Sequence, residues 1–517
     1  MGIARTRGVV LIGVEGVIVD VEVDLAEGVV GTTVVGLADR GVTEAKDRVR
    51  AALVNSNERW PAKRVTISLS PAWIPKLGAV TDLAVALAML AADGRLPAVV
   101  IDDTVVLGEL GLDGVVKTVR GVLPAVVAAA HAGFEKVIVP AANVDEACLV
   151  PGVEVVGVES LAHARAVLAG EAAPVEPGGT VIGGAAPNAH LRPVPDMEDV
   201  IGQPLARRAL EIAAAGGHHL FLHGQPGVGK TMLAERLPGL MPALPIAAAL
   251  EVTAVHSVAG TLDVDHPLIN TPPFEAPHHT ATLVSLVGGG SGRPTPGAVS
   301  RAHRGVLFLD EAPEFARTVL DALRQPLESG YVSITRSGFA ARFPARFQLV
   351  LAANPCPCGI GDQRGVGCRC SPMQRRRYAQ RISGPLLDRI DLVVQTQPID
   401  RAQMLADDAV GESTAVVSAR VAQAAGRMTQ RLNGYPWLAN AHVPGAMLKG
   451  RGALGVDPVA TRWLREASAR GTLSGRGIDK VLRVAWTIAD LAGFERPGID
   501  EVAEAVALRN DSFRTAA

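Results

Sequence analysis

The sequence has few aromatic residues and no excess of charge of either sign. Aromatic side chains make up 3% of the 517 residues, so the cores must be built mainly from Val, Ala and Leu within a hydrophobic fraction of 48%. Lysine and arginine number 50, against 52 aspartate and glutamate residues. This balance excludes a basic field over the whole protein, and any contact with nucleic acid must therefore come from local patches.

Long hydrophobic runs are also missing. The N-terminus, Met1-Gly-Ile-Ala-Arg-Thr-Arg, passes directly into strand-like alternation, which argues against a signal peptide. Apolar runs such as residues 83–92 are too short to span a bilayer. We therefore expect a cytoplasmic protein with no membrane partner, and at roughly 150 residues per domain its length corresponds to about three domains.

The first 170 residues alternate predicted strands with predicted helices. Hydrophobic periodicity predicts strands at residues 9–12, 16–23, 29–35, 65–70 and 137–140, and a hairpin-like pair around 105–110 and 115. Helices are predicted at residues 43–55, 81–92 and 122–132. This pattern indicates a mixed α/β domain over residues 1–170. Residues 171–195, rich in Pro, Gly and Ala, are typical of an interdomain linker.

The motif with the clearest chemistry begins at Gly224. A short apolar strand precedes it, a predicted helix follows it, and it reads Gly224-Gln225-Pro226-Gly227-Val228-Gly229-Lys230-Thr231. Glycines let the backbone wrap around phosphates, and the helix N-terminus presents free N–H groups to anionic oxygens. Lys230 can reach the β- and γ-phosphates and the Thr231 hydroxyl can hold Mg²⁺. The motif therefore predicts a nucleotide site.

A second part of such a site follows downstream, where an apolar strand ends in Asp310 and Glu311. In phosphate-loop ATPases the first acid holds the Mg²⁺ shell and the second polarises the attacking water. An Asp-Glu pair after a strand can also cap a helix. Because Lys230 and Thr231 are present in the same chain, we favour the catalytic interpretation and expect ATP and Mg²⁺ as cofactors.

Several further segments resemble AAA+ ATPases. The segment Asp199-Val-Ile-Gly-Gln203, ahead of a predicted helix, resembles the one that cups adenine in that class. Asn354, at the end of another buried strand, is similar to the sensor residue that orients water. Arg476, in Ser474-Gly-Arg476-Gly, resembles the second sensor on a helical lid domain. The resemblance thus implies catalytic roles for Asn354 and Arg476.

Arg389 lies in Gly384-Pro-Leu-Leu-Asp388-Arg389-Ile-Asp391, which resembles the segment that carries the arginine finger of AAA+ enzymes. A finger must reach the γ-phosphate of a neighbouring subunit. Pairing of Arg389 with Asp388 or Asp391 is the alternative. We favour the finger, with Arg324 as the reserve candidate.

The N-terminal segments resemble the proteolytic domain of Lon-type proteases. The resemblance is carried by Pro75-Lys-Leu-Gly78, by Gly108-Glu-Leu-Gly111 and by residues 121–131. That family places a serine two residues after the first glycine and a lysine seven residues before the histidine. Here those positions are Val80 and Pro124, which can act neither as nucleophile nor as base. The resemblance therefore implies the fold without the protease activity.

Together with Pro277-His-His-Thr280, Val287-Gly-Gly-Gly290 and Arg381-Ile-Ser-Gly-Pro385, these segments resemble the Mg-chelatase-like AAA+ family known as ComM or YifB. The resemblance covers essentially the whole chain. It implies a Lon-protease-like α/β domain (1–170), a phosphate-loop AAA+ α/β core of the helix-2-insert clade (196–400) and a C-terminal α-helical lid (401–517). It also implies an inserted hairpin between Lys230 and Asp310, and a second hairpin over residues 331–342.

The family resemblance implies a homo-hexameric, Mg²⁺-dependent ATPase that acts on single-stranded or branched DNA. The implied activity is branch migration in homologous recombination or natural transformation. The residues themselves support ATP hydrolysis, whereas the DNA substrate rests on the resemblance. A chelatase-type or chaperone-type ATPase that remodels a protein partner is the alternative.

Four of the five cysteines lie in one short window, at Cys356, Cys358, Cys368 and Cys370. In a reducing cytoplasm clustered cysteines indicate a metal rather than disulfides. Four thiolates can close a tetrahedral Zn²⁺ site, although one residue between paired cysteines is fewer than usual. We favour zinc over free thiols.

A basic cluster, Arg375-Arg-Arg377-Tyr378, follows these cysteines directly. It can contact phosphates of a nucleic acid, or it can be a solvated helix face. The sequence leaves both interpretations open.

Overall fold

The structure is a computed structural model. It describes residues 2–36, 40–74, 76, 78–171, 194–290, 294–336, 339–361, 367–398, 411–450, 452–469, 474–509 and 513. Most of the predicted linker, residues 172–193, lies outside the described residues, as do Pro75 and Leu77 of the Lon-like motif.

The N-terminal part is built on a seven-stranded mixed sheet with the strand order β3-β4-β2-β1-β5-β8-β9. The strands of this part are β1 (Gly2–Ile12), β2 (Glu15–Ala26), β3 (Gly31–Val35), β4 (Arg64–Ser70), β5 (Thr104–Val106), β6 (Glu109–Leu110), β7 (Val116–Lys117), β8 (Lys136–Pro140) and β9 (Glu154–Val158). Its helices are α1 (Arg40–Asn55), α2 (Asp82–Ala92), α3 (Val99–Asp102), α4 (Val122–His131), α5 (Val144–Ala147) and α6 (Leu161–Ala169). Side chains along β2 alternate between buried and partly exposed, as one covered sheet face requires.

These elements confirm the predicted alternation of strands and helices, including the pairing of β6 with β7. The structure adds strand β9 and helices α3, α5 and α6, which were not predicted, and β1 begins at Gly2, well before the predicted run, and pairs antiparallel with β2. The added residues of β1 include the charged Arg5 and Arg7. Hydrophobic patterning misses them because sheet pairing, and not burial alone, holds them in strands.

The central part contains a five-stranded parallel sheet with the order β11-β14-β17-β10-β18. The strands of this part are β10 (Leu220–His223), β11 (Phe274–Glu275), β12 (Gly288–Gly289), β13 (Thr295–Pro296), β14 (Val306–Leu309), β15 (Tyr331–Arg336), β16 (Phe339–Pro344), β17 (Gln348–Ala353) and β18 (Leu392–Gln395). Its helices are α7 (Pro204–Gly216), α8 (Lys230–Leu240), α9 (Ile246–Ala259), α10 (Leu283–Val287), α11 (Ala298–Arg301), α12 (Arg317–Ala322), α13 (Arg324–Ser329), α14 (Pro372–Ala379) and α15 (Gly384–Leu387). With the helical C-terminal part, this is the mixed α/β architecture of an AAA+ core.

Two antiparallel hairpins leave this central part. The β12–β13 pair lies in the spacer between Lys230 and Asp310, where the inserted hairpin is predicted. The β15–β16 pair immediately precedes β17 and is the second predicted hairpin. The residues at its tip, 337 and 338, lie outside the described part of the chain.

The C-terminal part is helical, as predicted. Its helices are α16 (Thr414–Leu432), α17 (Gly445–Leu448), α18 (Pro458–Ala469), α19 (Gly475–Ala492) and α20 (Ile499–Ala507). Helix α19 is joined to the parallel sheet because Lys480 donates to the buried carboxylate of Asp391 at 2.6 Å, and Asp391 in turn accepts the backbone N–H of His219 at 2.9 Å. Among the described helices, none is long and apolar enough to cross a membrane.

The N-terminal and central parts share a packed junction. Phe343 of β16 and Val258 of α9 belong to the same buried apolar cluster as Leu11 of β1 and Val122 of α4. A buried hydrogen bond crosses the junction, from the Ser257 hydroxyl of α9 to the Glu146 carboxylate of α5. The N-terminal sheet is therefore packed against α9 and against the β15–β16 hairpin.

Candidate nucleotide-hydrolysis site

The phosphate-loop residues connect β10 to α8 at the carboxyl edge of the parallel sheet. Gly227 and Gly229 adopt left-handed backbone conformations with φ of 78° and 86°, which strongly favour glycine at both positions. A Cβ atom at Gly224 would lie 2.2 Å from the Thr396 hydroxyl, so this position has no room for a side chain. Helix α8 begins at Lys230 and continues through Pro238 to Leu240, which confirms the predicted helix after the loop.

Lys230 is buried at the centre of the loop. Its ammonium donates to the carbonyl oxygens of Gly224 and Gln225, both at 2.8 Å, and to Asn354 Oδ1 at 3.1 Å. Burial lowers the pKa of Lys230 from its ordinary value, and the nearby carboxylates of Asp310 and Glu311 partly oppose this. The ammonium is thus positioned where phosphate oxygens would meet the loop.

Thr231 and Asp310 contact each other directly. The Thr231 hydroxyl donates to Asp310 Oδ2 at 2.7 Å, although the two residues come from different elements. A hydroxyl and a carboxylate oxygen at this separation are the hard oxygen ligands that suit Mg²⁺. The pair predicted for Mg²⁺ is therefore brought together by the fold.

Glu311 follows β14 and has an unusual backbone conformation. Its φ is 51°, in the left-handed region that few residues other than glycine adopt, and its N–H donates to Asp310 Oδ1 at 2.9 Å. Its side chain is half exposed, and its Oε2 atom lies 3.2 Å from Nδ1 of His279. The carboxylate predicted as the base is therefore held by a histidine.

Sequence reasoning assigned no role to His279. The residue follows β11, which lies beside β14 in the sheet, so the two strands deliver His279 and Glu311 to the same edge. The His278 ring stacks on that of His279 with centroids 4.1 Å apart. The signal available in the sequence was the His278-His279 pair directly after a short strand.

Gln203 is a second residue without a predicted role of its own. Its Nε2 atom donates to the Val228 carbonyl of the phosphate loop at 3.2 Å and to the Gln397 carbonyl at 2.5 Å. It also has a left-handed backbone, with φ of 52°. The segment predicted to cup adenine therefore lies against the phosphate loop.

Asn354 lies directly after β17, between the strands that carry the phosphate loop and the two acids. Its contact with Lys230 places the predicted sensor amide within the same cluster as the loop. The carboxyl ends of β10, β14 and β17 thus assemble the predicted residues of the central site. Parallel strands meet at one edge in this way because they share direction.

Arg389 and Arg476 lie elsewhere. Both line one cavity of 710 Å³ between the central and helical parts, and the described lining of that cavity includes none of the residues 224–231. Arg389 is largely covered, contacts Glu328 and donates to the Pro385 carbonyl at 2.5 Å. The contacts described for its guanidinium include neither Asp388 nor Asp391. Arg324, the reserve candidate, is exposed at the start of α13.

The four clustered cysteines converge. The sulfur of Cys356 lies 3.2 Å from that of Cys358 and 3.5 Å from that of Cys368, and the Cys358 and Cys368 sulfurs are 3.6 Å apart. All four Sγ atoms, including that of Cys370, lie within 4.8 Å of one another. The N–H of Ile360 and the Cys356 thiol lower the pKa of Cys358 to about 6, which favours the thiolate form that binds metals.

The basic cluster after the cysteines forms part of α14. Arg376 and Arg377 are exposed, whereas Tyr378 is buried in the core. The ring of Tyr378 is therefore not available for stacking on a base. The exposed guanidinium groups fit both a phosphate contact and a solvated helix face.

The positions that correspond to a protease dyad are filled by packing residues. Pro124 lies buried in α4, and Val80 packs against the same apolar cluster. Neither side chain carries a group that can attack a peptide bond. Positions 80 and 124 therefore supply neither a nucleophile nor a base.

Comparison with known proteins gives three family matches. Residues 196–404 match the family described as magnesium chelatase, subunit ChlI, residues 21–143 match subunit ChlI of Mg-chelatase, and residues 411–509 match the ChlI C-terminal family. The chain is 49% identical over 516 residues to an uncharacterised protein of Mycobacterium tuberculosis, covering 99% of this chain and 100% of that one.

Two further relatives are also similar over nearly their whole lengths. The uncharacterised protein YifB of Escherichia coli is 41% identical over 494 residues, covering 95% of this chain and 93% of that protein. The competence protein ComM of Haemophilus influenzae is 40% identical over 498 residues, covering 96% and 95% of the two chains.

Proposed function

Because the chain belongs to the Mg-chelatase-like AAA+ family that includes YifB and ComM, we propose that it is an ATP-hydrolysing motor that acts on DNA as a hexameric ring. The observation that carries the ATPase activity is one cluster at the carboxyl edge of the parallel sheet. It joins Lys230, Thr231 and Asp310 with Glu311 and Asn354.

In the proposed mechanism the N–H groups of the phosphate loop and the start of α8 hold the phosphates. Lys230 exchanges its loop carbonyl partners for phosphate oxygens. Thr231 and Asp310 would hold Mg²⁺, which when bound neutralises charge on the phosphates. Glu311 accepts a proton from the attacking water, and the Asn354 amide orients that water.

The ring assembly is proposed from the position of the two arginines. Arg389 and Arg476 face a cavity that the phosphate loop of the same chain does not line. A neighbouring subunit docked at this face would bring its own nucleotide toward them. Permanently charged guanidinium groups there would stabilise the charge that develops on the γ-phosphoryl group.

DNA is proposed as the substrate because a relative of nearly equal length carries the name competence protein ComM. In a ring, we place the β12–β13 and β15–β16 hairpins toward the central channel. The exposed Arg376 and Arg377 supply a local basic patch on a chain whose formal net charge is −2. We propose branch migration of recombination intermediates as the activity.

A second candidate is a chelatase-type or chaperone-type motor that remodels a protein partner. It is favoured by the family description itself, which names a magnesium-chelatase subunit for all three matched segments. Both candidates share the ATP chemistry and differ in what stimulates it. The choice between them is therefore experimental.

The test is to measure ATP turnover by the full chain alone, with single-stranded DNA, with duplex DNA and with a four-way junction. We expect turnover with single-stranded or branched DNA to be several-fold higher than turnover with duplex DNA. Lys230→Ala protein serves as the control for contaminating ATPases. Turnover that no DNA changes would contradict the DNA proposal and favour the protein-remodelling candidate.

We also propose that the four cysteines bind one Zn²⁺. Four sulfurs at 2.3 Å from a tetrahedral zinc lie about 3.8 Å apart, close to the spacing of the three nearest sulfurs here. The same spacing is far longer than the roughly 2 Å of a disulfide. Metal analysis of purified protein should find about one zinc per chain, and Cys356→Ser with Cys370→Ser should release it. Active, reduced protein without metal would contradict the zinc site.

A further inference from the structure

Given the zinc and ATP sites of the proposed function, we propose that the four-cysteine metal site braces the phosphate loop, so that metal occupancy sets the affinity for ATP. The first two cysteines lie on residues 355–361, here called the cysteine loop, which follow β17 and contact the phosphate loop at two points. Both contacts involve the residues between Cys358 and Gly361.

The first contact is a hydrogen bond from the phosphate loop to the cysteine loop. The Nε2 atom of Gln225 donates to the Ile360 carbonyl at 2.8 Å. The second contact is packing between Gly359 and Pro226. A Cβ atom at Gly359 would lie 2.6 Å from Pro226 Cγ, and its φ of 82° also favours glycine. Two successive phosphate-loop residues therefore rest on the cysteine loop.

The sulfurs hold this turn in place. Cys356 is fully buried, and its Sγ accepts the N–H of Gly361 at 3.4 Å. Cys358 lies directly before Gly359. The contact residues Gly359 and Ile360 are thus enclosed by two of the metal ligands and their hydrogen bonds.

A second route connects the same loop to the nucleotide site. Asn354 lies two residues before Cys356 and accepts from the Lys230 ammonium. The metal site therefore sits next to both the phosphate loop and the sensor amide.

Loss of the metal would leave the cysteine loop held by the bond from the Gly359 N–H to the Cys356 carbonyl at 2.9 Å and by weaker thiol contacts among its described residues. With no metal to hold Cys358, the two residues that follow it would be less restrained, because fixing a segment costs conformational entropy that the metal bonds offset. Gln225 would then lose its partner and Pro226 its support. The phosphate loop would then have to become ordered when ATP binds. We therefore expect the affinity for ATP to fall about fivefold, which corresponds to the loss of one hydrogen bond.

The experiment measures binding of a fluorescent, non-hydrolysable ATP analogue to the full chain in three states. These are zinc-loaded protein, protein stripped with a zinc-selective chelator while Mg²⁺ stays in excess, and stripped protein refilled with Zn²⁺. We expect stripping to weaken binding about fivefold and refilling to restore it. Zinc content is measured for each sample.

Variants separate the brace from general damage to the fold. Cys370→Ser, at a partly exposed ligand, should lower zinc content and weaken analogue binding together. Cys148→Ser, at the exposed cysteine outside the cluster, should change neither. Gln225→Ala should keep the zinc and weaken analogue binding, and stripping should then have a smaller further effect, as coupled contacts require.

The outcomes distinguish the brace from the sites on which it rests. Protein that binds stoichiometric zinc but keeps its affinity for the ATP analogue after the zinc is removed would overturn the brace. The proposed zinc and ATP sites would not be affected by that result. Reduced protein without metal would overturn the zinc site and the brace with it. Zinc-loaded protein that binds no ATP analogue would overturn the proposed function itself.

Discussion

Glu311 is the residue on which the proposed hydrolysis chemistry depends most directly. Its carboxylate is half exposed at the sheet edge, beside the Thr231–Asp310 pair and within reach of His279. In the proposed mechanism the side chains around it hold nucleotide and metal, whereas Glu311 accepts a proton. These two roles can be separated by substitution.

Glu311→Gln keeps the shape of the side chain and removes its basicity. We expect ATP binding close to that of the parent and turnover lower by a factor on the order of 10² or more, because the water loses its base while the phosphate cradle is intact. Analogue titration and phosphate release measure the two quantities. Lys230→Ala is the matched comparison and should weaken binding instead. Hydrolysis by Glu311→Gln at the parent rate would show that the base lies elsewhere.

His279→Ala tests whether the histidine restrains Glu311. The contact with His279 holds the Glu311 side chain against the imidazole, so its removal should free the carboxylate to reach the attacking water and raise turnover without DNA by roughly two- to tenfold. Steady-state phosphate release measures this. His278→Ala is the control, since His278 stacks on His279 and no contact described for it reaches Glu311; it should have the smaller effect. A lower turnover in His279→Ala would indicate that the histidine orients the base productively.

Among the elements, the contact of α5 with α9 joins the N-terminal and central parts. Glu146 is buried and accepts the backbone N–H of Leu123 at 2.7 Å, the Asn143 amide at 3.2 Å and the Ser257 hydroxyl. Burial raises the pKa of Glu146, and the Ser257 and Leu123 donors oppose the rise. A buried carboxylate of this kind makes the junction sensitive to the loss of any one donor.

Ser257→Ala should weaken this junction by about 1–2 kcal/mol, because the Glu146 carboxylate loses a donor that water does not replace. Amide hydrogen exchange of α4 and α9 reports the opening free energy. Ser418→Ala is the control, since its hydroxyl donates only within its own helix, to Ala415. A double substitution with Glu146→Ala should show non-additive losses. Additive losses would mean that the two residues do not stabilise the junction together.

The same junction should depend on pH. Because its pKa is raised in the folded state, Glu146 binds its proton more tightly there than in the unfolded chain. This tighter proton binding contributes fully to the opening free energy of the junction below the unfolded pKa of about 4.3. The contribution is lost as pH rises through the folded pKa of Glu146. Ser257→Ala removes a donor that lowers the folded pKa of Glu146, so the loss of stability should extend to higher pH. Hydrogen exchange at several pH values measures this, and a pH-independent opening free energy would contradict it.

At the scale of the whole molecule, the two arginines that face the large cavity distinguish a ring motor from a self-contained ATPase. Arg389→Ala should bind ATP through its own Lys230 site and hydrolyse it poorly. Mixing Arg389→Ala with Lys230→Ala protein should restore part of the turnover, since one chain supplies the phosphate site and the other the arginine. The rescue should fade on dilution below the assembly concentration.

Absence of rescue in demonstrated mixed rings would contradict the role of Arg389. Arg324 and Arg476 would then be tested in the same way. Arg324 is exposed on α13, and Arg476 shares the cavity with Arg389. The mixing experiment separates these arginines, because only a variant at the arginine that enters a neighbouring site can be rescued by a chain of another variant.

Much of the fold was predictable because its signals are local. The strands and helices of the first 170 residues follow hydrophobic periodicity, and the loop at residues 224–231 carries its chemistry in consecutive residues. Errors fell where tertiary contacts override local preference. Strand β1 recruits the charged Arg5 and Arg7 by pairing with β2.

The sequence by itself determined which groups are available: the phosphate loop, the two acids, the sensor-like Asn354, the arginines and the four cysteines. Only the tertiary structure decided which of them meet. Strand order placed His279 on Glu311, and chain folding placed Gln225 on the cysteine loop and Gln203 on Val228. It also buried Tyr378 and turned Arg389 toward a cavity away from the phosphate loop. Residue type and spacing encode local geometry and chemical capacity, whereas contacts between distant segments depend on how sheets and helices pack, which no local pattern specifies.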